Sequence, residues 1–93
     1  MKIIRRNEYI AVPVRPLRNG ALSIRAKGML AVLFSLPESG TVTVYDLVSA
    51  CRMTLEDVSE VARELERAGY LVREGGALRV FDAPLDDDEL ECL

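Results

Sequence analysis

TVTVYDLVSACRMTLEDVSEVARELERAGYLVR, residues 41–73, decides the fold, because two helix starts are written into it eleven residues apart. Thr43 caps the first helix through its hydroxyl, and Asp46, three residues on, reaches back to the N–H of the cap, the reciprocal arrangement of a capping box. Thr54 and Asp57 repeat the arrangement and leave only Cys51, Arg52 and Met53 as the turn between the helices. Val44, Leu47, Val48 and Cys51 fall at i, i+3, i+4, i+7, as do Val58, Val61, Ala62 and Leu65, so each helix presents one apolar stripe to a common core. Gly69 follows Ala68 as a left-handed helix stop, and Tyr70 to Val72 are strand formers. Gly75-Gly76 then suits the two-residue loop of a type I′ hairpin that returns over 77–81.

Helix, tight turn, helix and hairpin in this order spell a winged helix, an α+β domain, mostly α, with three helices and a small β-wing. Its remaining helix lies upstream, capped by Ser23 and running to about residue 35, where Pro37 stops it; Leu30, Leu33 and Phe34 point inward and Met29 lies nearer the rim. Gly28 in mid-helix costs roughly 1 kcal/mol against alanine, which points to a close backbone approach. Residues 9–14 read as a strand that Pro13 confines to a sheet edge, 15–21 as a loop, and 41–44 as a short strand pairing with the wing. The chain thus divides into a basic arm over 1–8, a winged-helix domain over 9–81 and an acidic, disordered tail over 82–93.

With 93 residues, 49% of them hydrophobic, the chain has room for one small core. Its net charge of −3 conceals a division. Residues 1–36 carry seven bases against Glu8 alone (+6), residues 37–81 five arginines against eight acids (−3), and residues 82–93 six acids and no base (−6). This asymmetry, more than the sequence pI of about 4.9, determines whether one face can meet a polyanion. There is no histidine, and the two cysteines, Cys51 in an apolar stripe and Cys92 in the tail, supply neither a zinc ligand set nor a disulfide framework; they fit a reducing cytoplasm. The apolar run over 9–12 is short and broken by Pro13, so neither a secretion signal nor a membrane span is expected. No nucleophile has a base to activate it, no glycine-rich loop follows a strand, and the acids of 86–91 lack calcium-loop spacing. No enzyme activity, metal or cofactor is therefore expected.

The residues also resemble a known family. The run 43–73 matches the general pattern of winged-helix regulators without a gap. Upstream, Tyr9-Ile10-Ala11-Val12-Pro13, then Leu22-Ser23-Ile24-Arg25-Ala26-Lys27-Gly28-Met29-Leu30 and Ser35-Leu36-Pro37, resemble the amino-terminal winged-helix domain of phage and plasmid replication initiators and primosomal loading proteins. The likeness spans about residues 8–81. It implies binding to duplex DNA, with the second helix of the pair in the major groove and the wing and helix ends gripping phosphates. Carried over by position, Thr54, Leu55, Glu56, Ser59, Glu60 and Arg63 would face the groove. Arg73 and Arg79 would be the wing's phosphate contacts, and Arg25 and Lys27 would reach the backbone from the Ser23 helix.

The sequence departs from that pattern twice. Arg52 stands where the turn usually has glycine, which implies a modified turn. Glu56, Asp57 and Glu60 stand where basic or neutral polar residues are usual; one carboxylate can accept from cytosine N4, but three near a phosphate backbone are repelled. Two readings therefore stand together. One is a cytoplasmic, dimeric DNA-binding module serving replication initiation or transcription regulation of a phage, plasmid or bacterial genome. The other is a winged helix for dimerisation or protein contact, whose acidic helix engages a basic partner without DNA. The same helix also reads as a plain solvated face, on which Glu56, Glu60, Glu64 and Glu66 stand among Arg63 and Arg67, with Glu60–Arg63, Glu64–Arg67 and Glu66–Arg63 three residues apart.

Overall fold

The computed structural model describes residues 10–36, 41–81 and 83–84. A one-turn helix α1 (Val14–Leu17) precedes α2 (Ile24–Ser35), α3 (Val44–Cys51) and α4 (Leu55–Arg67), and the strands β1 (Leu71–Glu74) and β2 (Ala77–Val80) complete the order. Helices α2, α3 and α4 meet around Leu30, Leu47, Val58, Ala62 and Leu65, and Tyr70 and Leu71 close this core from the wing side. The architecture is α+β and mostly helical, with a two-stranded antiparallel wing.

Both helix starts of the pair form, though unequally. The Thr43 hydroxyl accepts from the Asp46 N–H, and the Asp46 carboxylate accepts from the Thr43 N–H at 2.9 Å. At Thr54 only half of the box closes: its hydroxyl accepts from the Asp57 N–H at 3.1 Å, while the Asp57 carboxylate turns to Arg25. Between them Arg52 takes the left-handed conformation, φ 51° and ψ 48°. The turn is therefore not modified to suit its residue. Arg52 accepts the glycine geometry at a cost of about 1–2 kcal/mol for a side chain with Cβ, and the N–H groups of Arg52 and Met53 both donate to the Val48 carbonyl.

Helix α4 ends in a Schellman motif. The Tyr70 N–H donates to the Leu65 carbonyl at 3.0 Å and the Gly69 N–H to the Glu66 carbonyl at 3.1 Å, with Gly69 at φ 87°. In the hairpin Leu71 pairs with Val80 and Glu74 with Ala77, and Gly75 and Gly76 have φ of 54° and 86°, the two positive values of a type I′ turn. Residues 41–44 add a single rung to the wing, the Val42 carbonyl accepting from the Leu78 N–H at 2.9 Å. The strand expected there goes no further because Thr43 is already a helix cap and Val44 is helical.

Other upstream expectations change as well. Residues 10–13 lie in no strand, and Val14 opens α1 instead of ending a strand over 9–14. Pro13 caps that turn at φ −57°, and Pro16 sits in the first helical turn, where its missing N–H removes no bond. Part of the loop expected over 15–21 is thereby helical; the rest is closed by Asn19, whose side-chain oxygen accepts from the Ala21 N–H at 2.9 Å. Met29 belongs to the core, at 2% exposure, whereas Phe34 is half-buried. No atom outside the neighbouring backbone of its own helix lies within 4 Å of where a Cβ would stand on Gly28, so close approach of another segment does not explain that glycine. Cys51 is half-buried against the core, and burial pushes its thiol up. The arm over 1–8, the turn over 37–40 and the tail beyond residue 84 lie outside the described residues. Among the described residues no helix is long and apolar enough to cross a membrane.

Candidate nucleic-acid interface

The 3.6-residue period divides the surface of α4 into strips. Val58, Val61, Ala62 and Leu65 face the core. Opposite them Glu56, Glu60, Arg63 and Arg67 form an exposed crest, and Leu55, 42% exposed, stands beside its leading end on the strip of Ser59 and Glu66. Asp57 and Glu64 flank the crest toward α2, and Ser59 and Glu66 flank it toward the wing. Along the crest the two acids lead and the two arginines trail. This order complements the helix dipole at both ends, and it means that a duplex approaching the leading edge meets negative charge first.

On the α2 flank, the Arg25 guanidinium lies 3.5 Å from the Asp57 carboxylate, both side chains about half exposed (50% and 45%). About two turns further along, Glu64 accepts two hydrogen bonds of 2.7 Å, from the Ser23 N–H and from the Ser23 hydroxyl. That hydroxyl in turn accepts from the Ala26 N–H at 3.1 Å. Ala26, three residues after the cap, has no side-chain acceptor to return the bond, so α4 supplies the carboxylate that completes the box of α2. The Ser23 N–H, then its hydroxyl, hold the Glu64 carboxyl below the ordinary glutamate range, and Arg67 and Arg25 add smaller pulls. Ser23, Arg25, Glu60, Val61, Glu64 and Arg67 line a shallow cleft of about 290 Å³ between the two helices.

On the wing flank, Arg73 donates through Nε to the Glu66 carboxylate and through a terminal nitrogen to the Ser59 carbonyl at 3.5 Å, tying β1 to α4. Arg79 donates to Glu74 at 2.8 Å and lies 5.7 Å from the centre of the Phe81 ring. The register places Arg73 on one face of the hairpin with Leu71, and Arg79 on the other, opposite Val72 and diagonal to Glu74. The two wing arginines thus leave from opposite faces.

Of the residues assigned to DNA from sequence, Leu55, Glu56, Glu60 and Arg63 are exposed on or beside the crest. The Thr54 hydroxyl is engaged in its cap, and Ser59 is half-buried with its carbonyl taken by Arg73 and, at 3.4 Å, by Arg63 Nε. Lys27 is half-buried on α2. Arg67, read from sequence only as an ion-pair partner, belongs to the crest; its spacing from Glu56, Glu60 and Arg63 already carried that signal. The intrahelical glutamate–arginine pairs do not close into salt bridges, since Glu64 serves α2 and Glu66 serves the wing. No protein-family model, characterised protein or solved structure matches this chain.

Proposed function

We propose that the domain binds duplex DNA as a winged-helix module, with the crest of α4 in the major groove, in replication initiation or transcription regulation of a phage, plasmid or bacterial genome. The observation that carries this reading is the open crest of α4 standing beside a type I′ wing. A helix presented in this way fits a major groove about 12 Å wide. Leu55 at the leading end is suited to a thymine methyl, Glu56 and Glu60 to cytosine N4, and Arg63 and Arg67 on the trailing half to guanine or phosphate.

Fluorescence anisotropy with a labelled random duplex tests the reading. Affinity should fall steeply between about 50 and 200 mM salt, with a slope of about −0.9 per phosphate neutralised. An absence of binding at the lower salt overturns it. Arg63→Ala should relax sequence preference.

A second reading, a protein-contact module for a basic partner, is favoured by the exposed Glu56 and Glu60 at the leading edge. Under it, Glu56→Lys with Glu60→Lys abolishes the partner interaction and leaves any weak DNA affinity the same or higher.

A further inference from the structure

Three ion pairs form among the described residues, Arg25–Asp57, Arg73–Glu66 and Arg79–Glu74. Each engages an arginine that borders the crest of α4 or sits on the wing, and the side chains involved are between 34% and 51% exposed. Pairs this exposed contribute little to holding a fold together. They engage arginines on the flank of the crest and on the wing, while Arg63 and Arg67 on the crest itself form no salt bridge among the described residues, a division that calls for an account other than stability.

We infer that Asp57, Glu66 and Glu74 are positioning residues that hold down sequence-independent affinity, by occupying guanidinium groups that would otherwise grip phosphate on any duplex. The inference rests on the DNA-binding reading. Carboxylate and phosphate compete for the same planar donor fork. A guanidinium presents its whole donor fork to a phosphate only by leaving its carboxylate, and in either arrangement the carboxylate stays within a few ångströms of the phosphate and repels it. The exchange penalises every duplex equally. Base contacts from the crest are gained at a matching site alone, so with the phosphate contribution reduced, only such a site is held at low concentration.

A double-mutant cycle tests this. Glu66→Gln and Glu74→Gln each keep the side-chain shape and remove the charge. Each should raise affinity for random duplex by about two- to fivefold, the range of an exposed pair, and steepen the salt dependence by about 0.9 for each arginine released. The decisive arm is the same change made in an Arg73→Ala background for Glu66 and an Arg79→Ala background for Glu74. Masking requires that the gain disappear once the arginine is gone. A gain of equal size in both backgrounds shows a general effect of net charge and overturns the masking while leaving the DNA-binding reading intact. No binding by the wild type or by either glutamine variant overturns both. Because Arg73 also ties the wing to α4, the Glu74–Arg79 cycle, on the outer face of the hairpin, keeps the test independent of wing docking.

Discussion

Removing the carboxylate of Glu64 should loosen α2 from α4. Glu64→Ala deletes two charge-assisted hydrogen bonds of 2.7 Å and leaves the Ser23 N–H to water. Hydrogen bonds to a charged group contribute about 1.5–3 kcal/mol each when well buried. Glu64 is only partly shielded, so both bonds together are discounted to roughly 1–2 kcal/mol. For a domain of this size that corresponds to a fall in melting temperature of about 5–15 °C. The pH dependence is the sharper assay. The folded-state pKa of Glu64 is lowered by Ser23, so its contribution is fully present above the unfolded value, near 4.5, and is lost as pH falls through the lowered folded value. Urea unfolding followed by circular dichroism should therefore show a constant gap between wild type and variant at neutral pH that narrows below about pH 5. A gap that stays the same into acid would refute the reasoning, because the stabilisation could not then come from the ionised carboxylate.

Further expectations concern the backbone and the core. Gly28→Ala should stabilise by about 0.5–1 kcal/mol in chemical denaturation, since nothing occupies the space its methyl would enter. Arg52→Gly should also stabilise, by up to about 1 kcal/mol, as relief of the left-handed strain outweighs the added chain entropy; a loss of stability would show that the Arg52 side chain contributes more than its strain costs. Leu65→Ala, at the fully buried foot of α4, should cost about 2–5 kcal/mol by calorimetry.

The helix pair and wing were legible because their signals are local. Each cap lies within three residues of its partner, and the apolar stripes, the Gly69 stop and the Gly75-Gly76 turn need no knowledge of the rest of the chain. What escaped was decided at longer range. Spacing on α4 suggests arginine partners for Glu64 and Glu66 three residues away, yet Glu64 bonds Ser23 at a separation of 41 residues and Glu66 bonds Arg73 on the next element. Asp57 likewise leaves its own cap for Arg25. Residues 9–14 read as a strand because apolar β-formers outweighed Pro13 and Pro16, both of which stand at a helix start, where a missing N–H removes no bond. Arg52 shows a third case. The angle between α3 and α4 requires a left-handed residue, and burying Leu47 and Val58 outweighs a penalty of about 1–2 kcal/mol at one position, so the residue conformed to the fold.

The single backbone rung from Val42 to Leu78 joins points 36 residues apart in sequence. The wing is otherwise held by the short hairpin ladder, the Arg73 tie and a few apolar side chains, while the three helices share the fully buried centre. Amide exchange should follow the same hierarchy. The Leu78 amide opens in a low-energy excursion that lifts the wing away from an intact helical body, whereas the amides of α4 beneath Leu65 exchange only through global unfolding. A ligand that grips the wing would close this excursion first, and slowed exchange at Leu78 would report its arrival without any change in the average structure.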